Sequence, residues 1–478
     1  MGLTAQNLKR IAGFLLGGAA RPKLAKHFMW LFWGIGLLYL LIVPPFQVPD
    51  EPGHLFRAYQ ISQGGILAQK IDNRSGGFVP ASFALTFQEA VRGKTTGQTI
   101  LFNPDEKYDL GATQRCLHIP LRTGDVTFAS FPGDTLYSPV PFLPQATAIL
   151  VARILHLPPV LLMYLARLAN LIATGAVCTL AIWITPALRN VFFLVGLSPV
   201  FLSESASCSP DGLTNSVSML LIAVVLKCAY DAKTRLDRTQ IATLAVLSVV
   251  LALCKPAYFL LPLLYFIIPA TKARTSREYY AAGVAILLLG VVAMSAWAAV
   301  AMPTYATPPG LVDLAESRGY AVAHPLEIGL IVARNLGLQW QYYVSSAFGL
   351  LGWLDTPMSP AIIVTFVFIL LGVAATEYSD AIHFSIKAKT MVLFVAAVTT
   401  IIIIASQYLA RQVGSSDEIR LAQGRYFLPV IPLFLSLLYG GKVARFTSGA
   451  AERLTVEATG ILFPILGLWF VIHRYYSL

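Results

Sequence analysis

Two adjacent acids, Asp50 and Glu51, stand between Pro49 and Pro52, with His54 and Arg57 close behind. A carboxylate so placed can take the proton from a hydroxyl as its oxygen attacks, help typically worth about 10²–10⁴-fold. The complementary cations lie far along the chain: Lys255 before Pro256, and Arg425 within Gln423-Gly424-Arg425-Tyr426. Arg or Lys can stabilise a departing phosphate. Asp50 or Glu51 with Arg425, Lys255 or Arg57 would make a transfer site. Asp211 in SPDGLTN, and Trp353 and Asp355 in GWLDTP, join His54, Gln423 and Tyr426 as substrate-binding candidates. A divalent cation, Mg or Mn, could bind an Asp-Glu pair together with a phosphate, but the residues present assign no metal ligand set.

The elements that must position these residues are membrane helices. The chain of 478 residues is 56% hydrophobic and 12% charged, with mean hydropathy +0.68. A soluble domain carries about a quarter charged residues. Apolar runs of roughly 17–22 residues recur, each long enough to span a bilayer. That predicts an all-α polytopic membrane protein and excludes a β-barrel, whose strands would alternate over about ten residues. The net charge of +11 is read as a guide to orientation, not as a nucleic-acid footprint. The five cysteines have neither disulfide-framework nor metal-ligand spacing. His118 and His156 read as structural residues, and no cleavable signal is evident.

About eleven spans follow from the pattern, with residues 1–28 cytoplasmic because they carry five basic residues and no acid. The short run Ile11 to Ala20 fits an amphipathic surface helix. The expected spans are about 29–46, 160–185, 191–206, 212–230, 240–254, 257–270, 281–302, 361–376, 390–408, 426–441 and 457–472. This divides the chain into a transmembrane module, 29–302, a second external region, 303–360, and a C-terminal module, 361–478. The first module includes a large loop, 47–159, and the second region an interfacial or re-entrant helix near 326–352. Ser138 to Leu155 is placed at the interface, since a span there would put the basic loop KTRLDR outside. Under this topology the polar candidates collect on the extracytoplasmic face, together with Glu204 between two spans, while the cytoplasmic face carries ordinary basic anchors.

Each candidate also has a purely structural reading. Lys255 and Arg425 can be helix-end anchors, Asp211 an N-cap, Trp353 an aromatic-belt residue, Asp355 the cap of a turn, and the acids of 48–65 solvated loop residues.

The segments PDEPGHLFRAYQISQG (49–64), YSPVPFLPQA (137–146), ARLANL (166–171), SCSPDGLTN (207–215), KPAYFLLPLL (255–264), GWLDTP (352–357) and QGRYFLPVIPL (423–433) resemble, in order, a family of bacterial polytopic membrane proteins of unknown function. That family is similar to the GT-C glycosyltransferases, which use a polyprenyl-phosphate-linked sugar at the extracytoplasmic face. The resemblance implies a GT-C-like fold with interfacial helices in its first loop and an inverting transfer to a hydroxyl of a cell-surface glycan or glycolipid. It implies Asp50 as general base, Glu51 as alternative, and Arg425 and Lys255 on the phosphate side. The chain has no Asp-x-Asp triplet, which sets it apart from metal-dependent members. The expected location is the bacterial inner membrane. The rival readings are a flippase or transporter of lipid-linked sugars, a polysaccharide-polymerase-like enzyme, and a non-catalytic assembly partner.

Overall fold

The computed structural model of the chain describes residues 13–15, 23–308, 311–411, 422–440 and 449–476. The predicted surface helix Ile11–Ala20 lies largely outside the described residues, and residues 412–421 and the basic segment 442–448 lie wholly outside them.

Helix α1 (Lys23–Ile42) is apolar beyond its first turn and stops before Pro44-Pro45. Helix α2 (Glu51–Ser62) follows, with Pro52 in its first turn, where a missing N–H costs nothing. The polar stretch after it is a folded unit. Strands β1 (Gln69–Ile71), β2 (Arg74–Pro80) and, after helices α3 (Ala81–Ala90) and α4 (Leu110–Leu117), β3 (Val126–Ser130) form an antiparallel sheet of order β1-β2-β3. Gly76 pairs with Ser130 and Gly77 with Ala129. A one-turn helix, α5 (Pro132–Thr135), leads back toward the helices. The strands are a departure from an all-α expectation, confined in the loop unit to a small sheet.

Helix α6 (Leu143–Ile154) has 12 residues, about 18 Å at 1.5 Å per residue, against a hydrocarbon core of about 30 Å. It exposes Leu143, Leu150, Val151 and Ile154 and buries Gln145, Ala146, Ile149 and Ala152. A short helix with one outward apolar face suits an interface, not a span.

The rest is helix α7 (Pro159–Ile184), the pair α8 (Arg189–Gly196) and α9 (Pro199–Ser205), then α10 (Asp211–Tyr230), α11 (Arg238–Cys254), α12 (Ser276–Ala301), α13 (Leu314–Ala323) and α14 (Pro325–Phe348). A hairpin of β4 (Leu350–Leu351) and β5 (Thr356–Pro357) precedes α15 (Pro360–Thr376), α16 (Ile386–Arg411), α17 (Ile431–Ser436) and α18 (Gly449–Tyr475). Among the described residues six helices are long and apolar enough to cross a membrane: α1, α7, α10, α12, α16 and α18. The most apolar stretch of α10 is 94% buried and that of α12 only 17%, so α10 is the central post and α12 the periphery. Helix α7 packs against α1, α6 and α10, and α11 pairs with α12.

Three expected spans are not single α-helices. The stretch 191–206 is divided between α8 and α9 at Ser198-Pro199; 257–270 is largely short 3-10 turns, Pro256–Tyr258 and Leu261–Ile267; and 426–441 is the turn Gly424–Phe427 followed by α17. Proline accounts for all three, since Pro199, Pro256, Pro262, Pro429 and Pro432 each remove a helix donor. Helices α11 and α15 have 17 residues each, at the lower limit for crossing.

The last turn of α18 is clasped by the loop unit. Arg474 donates to the carbonyls of Ile100 (3.1 Å), Asn103 (3.0 Å) and Glu106 (3.0 Å) and to the Asp355 carboxylate (2.8 Å). Lys107 Nζ donates to the His473 and Arg474 carbonyls, and Tyr108 N to the Tyr475 carbonyl. The loop unit, the β4-β5 hairpin and the end of α18 therefore share one face of the molecule.

Candidate functional site

On that face a cavity of about 390 Å³ opens between the start of α2, the residues around α5, the start of α10, the end of α11, the β4-β5 hairpin and the turn at Gly424. Its wall includes Asp50, His54, Asp134, Tyr137, Asp211, Lys255, Trp353, Gln407, Arg425 and Tyr426. Seven of the sequence candidates meet here from five separate stretches of chain.

Asp50 is the residue before α2 and has a left-handed backbone, φ 63° and ψ 6°. Asp tolerates that region better than most residues. Its side chain makes no capping bond to the helix. It points into the cavity instead, 60% exposed, with Oδ2 3.3 Å from Arg425 Nη2. Non-glycine residues held in such sparsely populated conformations concentrate at functional sites.

Arg425 is the hub. Beyond Asp50 it reaches Glu204 Oε1 at 2.7 Å and Asp211 Oδ2 at 3.9 Å, and its side chain is 4% exposed. Its Nε is buried without a hydrogen-bond partner. Gly424 makes this placement feasible, because a Cβ there would overlap the Tyr343 carbonyl and the Ala347 amide of α14. The Gly424 amide also donates to Ser346 Oγ at 2.7 Å. Lys255 ends α11 and donates to Asp211 Oδ1 at 2.8 Å. Its Nζ lies 4.2 Å from the centre of the Tyr426 ring, and the Arg425 guanidinium 5.3 Å from the same ring. Two cations thus flank one aromatic face, a favourable cation–π arrangement.

His54 lies one turn after Asp50 on α2, with Nε2 3.3 Å from Asp134 Oδ1. Burial pushes the His54 imidazole down to about 4 and the Asp134 carboxyl well above the usual carboxylate range. Both shifts disfavour charge, so the pair is held neutral. A test follows from the signs. His54, with a folded value below its unfolded one, contributes stability above about pH 6.5 that is lost as pH falls toward 4. Asp134 has its folded value raised, so its contribution grows as pH falls and offsets that of His54. In Asp134→Asn only the His54 slope remains. Melting temperatures between pH 7 and pH 4.5 are expected to fall more steeply in Asp134→Asn than in the native protein; equal slopes would refute the coupling.

The remaining four candidates sit elsewhere. Glu51 is fully buried and paired with Arg167 through two bonds of 2.8 and 2.6 Å. It also accepts from Cys208 N at 3.1 Å. Arg167 in turn donates to the carbonyls of Leu40, Val43 and Pro44 at the end of α1. Glu51 therefore has no access to the cavity and fastens α1, α2 and α7 together. Arg57 is wholly buried, donating to Gln60 Oε1 and the Ile66 and Tyr137 carbonyls; it holds the loop unit and not a ligand. Asp355 is engaged by Arg474. Gln423 opens the Gly424 turn but is not in the cavity wall.

Asp134 and Tyr137 were not singled out by sequence, because an acid in a Pro-Gly turn and a tyrosine beside it look like ordinary loop residues. Glu204 was visible only as an acid near the mouth of an apolar run, and nothing marked Arg425 as its partner. Among the described residues no group of three or more His, Cys, Asp or Glu is arranged to hold a metal ion.

No curated protein matches the chain. Residues 31–434 match the family described as "Predicted membrane protein (DUF2142)", a stretch that carries every wall residue of the cavity, and the chain belongs to that family.

Proposed function

We propose that the protein is a membrane glycosyltransferase of the GT-C type, moving a sugar from a polyprenyl-phosphate carrier to a hydroxyl of a glycan or glycolipid. In this reading the cavity faces the extracytoplasmic side of a bacterial inner membrane. The N-terminus is cytoplasmic, and the short and broken helical stretches add to the six long helices to give about eleven crossings. The observation that carries the reading is a solvent-exposed carboxylate, Asp50, held opposite two cations, Arg425 and Lys255, in one cavity.

Asp50 takes the proton of the acceptor hydroxyl as that oxygen bonds to the anomeric carbon. The bond from the anomeric carbon to the phosphate oxygen breaks, and its electron pair leaves with the polyprenyl phosphate. Arg425 and Lys255 stabilise the developing charge. Their carboxylate partners Glu204 and Asp211 hold them in place beforehand. A single attack from the face opposite the departing phosphate inverts the anomeric centre. His54 and Asp134, neutral and buried, shape the acceptor side without adding charge.

A flippase reading draws on a second cavity of about 660 Å³ lined by Lys23, Arg189, Glu377, Glu452 and Arg453. Against it, Arg167, fully buried within α7, is closed off by Glu51, so it offers no polar path. Reconstituted vesicles separate the two. With labelled polyprenyl-phosphate sugars and extracted cell-surface glycans, label is expected to appear in the glycan. Movement of labelled lipid across the bilayer without any transfer would establish the flippase instead.

A further inference from the structure

Four left-handed residues converge on one indole. Phe46 (φ 64°), Phe102 (φ 57°), Gly352 (φ 61°) and Leu354 (φ 62°) all surround Trp353. Three of them are bulky residues for which this region is a genuine outlier. Phe46 turns its carbonyl to the Trp353 Nε1, which donates to it at 2.6 Å. Gly352 and Leu354 flank Trp353 in the hairpin. Phe102 brings its ring edge-on to the indole, with centroids 5.0 Å apart and planes at 67°.

Core packing does not explain Phe102. Its side chain is 67% exposed, and a left-handed phenylalanine that gains little burial is doubly unfavourable. A lipid contact is a poor account as well, because the residues that follow it, Asn103, Pro104, Asp105 and Glu106, are polar or turn-forming, with Pro104 and Asp105 exposed. Trp353 belongs to the cavity wall that also holds Asp50 and Arg425, and the Phe102 ring packed on it stands just outside that wall. One side chain sets both rings. Arg474 donates to the carbonyl of Asn103, next to Phe102, and to the carboxylate of Asp355, two residues beyond Trp353.

We propose that Phe102 and Trp353 form a preorganised aromatic ledge at the cavity rim that takes the apolar C–H face of a pyranose ring of the acceptor glycan. A sugar ring presents axial C–H groups on one face and hydroxyls at its edge. Against two aromatic rings set at a steep angle, the C–H face is desolvated while the hydroxyls stay free to meet Asp50. The inference rests on the glycosyltransferase reading for the acceptor's identity, but binding is measured apart from turnover.

The full-length protein in detergent is titrated with chitotetraose, cellotetraose and maltotetraose while tryptophan fluorescence is followed. At least one is expected to give a saturable change that Trp353→Leu removes. Phe102→Ala should weaken it at least tenfold and Phe102→Tyr restore it, with melting temperatures unaltered. Binding with no sugar transfer from any polyprenyl donor would leave the ledge standing and sink the transferase reading. Transfer with an acceptor KM unchanged by Phe102→Ala would do the reverse. The ledge is also overturned if none of the three oligosaccharides binds. In vesicles containing brominated phosphatidylcholine, quenching of the added indole of Phe102→Trp would place the ring in the bilayer and overturn it as well.

Discussion

Asp50→Asn is expected to lower sugar transfer by about 10²–10⁴-fold while leaving yield and melting temperature close to native. The substitution keeps the shape of the side chain and removes its capacity to accept a proton. Little stability rests on it, because the carboxylate is 60% exposed and its contact with Arg425 is a long 3.3 Å; exposed pairs contribute about 0–1 kcal/mol. Arg425 keeps Glu204 at 2.7 Å, so the phosphate side should remain assembled and donor binding should persist. Initial rates in vesicles, read beside donor binding to the same preparation, decide the matter. Turnover unchanged in Asp50→Asn would remove Asp50 from the mechanism.

Glu51→Gln, one residue away, is expected to behave in the opposite manner: a protein that fails to accumulate or melts far below native. Removing one charge of a buried pair leaves the other uncompensated, a loss of about 3–5 kcal/mol. Both members are fully buried, and Arg167 also satisfies three carbonyls at the end of α1. The neutral combination Glu51→Gln with Arg167→Gln should recover part of the loss, since no buried charge is then stranded. Thermal melting in detergent for the two singles and the double gives the coupling. A fully stable Glu51→Gln with lost activity would show that Glu51, and not Asp50, does the chemistry.

These two neighbours mark the limit of what sequence could tell. Their residue types and proline brackets are equivalent on paper. The difference is made by a left-handed backbone at Asp50 and by Arg167, 116 positions away, and neither is encoded in local spacing. The same holds for Asp355, a credible ligand until Arg474 takes it from 119 positions away. Long apolar runs were readable because length and hydropathy are local properties, and α1, α7, α10, α12, α16 and α18 fall where such runs were found. The helix α6 falls within the stretch 138–155 that the charge of later loops set apart from the spans, and it is shorter than those six. The broken stretches at 189–205, 256–267 and 424–436 were not, because their composition is that of a span while their prolines forbid a continuous one. The expected topology grouped all eleven site candidates, with Glu204, at span ends; which seven line the cavity, and their partner Asp134, needed coordinates.

The clasp on α18 has a consequence for the order of assembly. Carbonyls of Ile100, Asn103 and Glu106 wait for an arginine 374, 371 and 368 residues downstream. The loop unit is translated early, yet its edge cannot close until α18 has been inserted. The same arginine fixes the hairpin that carries Trp353, so the rim of the cavity depends on the docking of α18. Contacts of such sequence separation form slowly. A chain in which α18 has not docked therefore lacks the Arg474 bonds to both Asn103 and Asp355, and the hairpin that carries Trp353 keeps only its own contacts, such as the indole's bond to the Phe46 carbonyl.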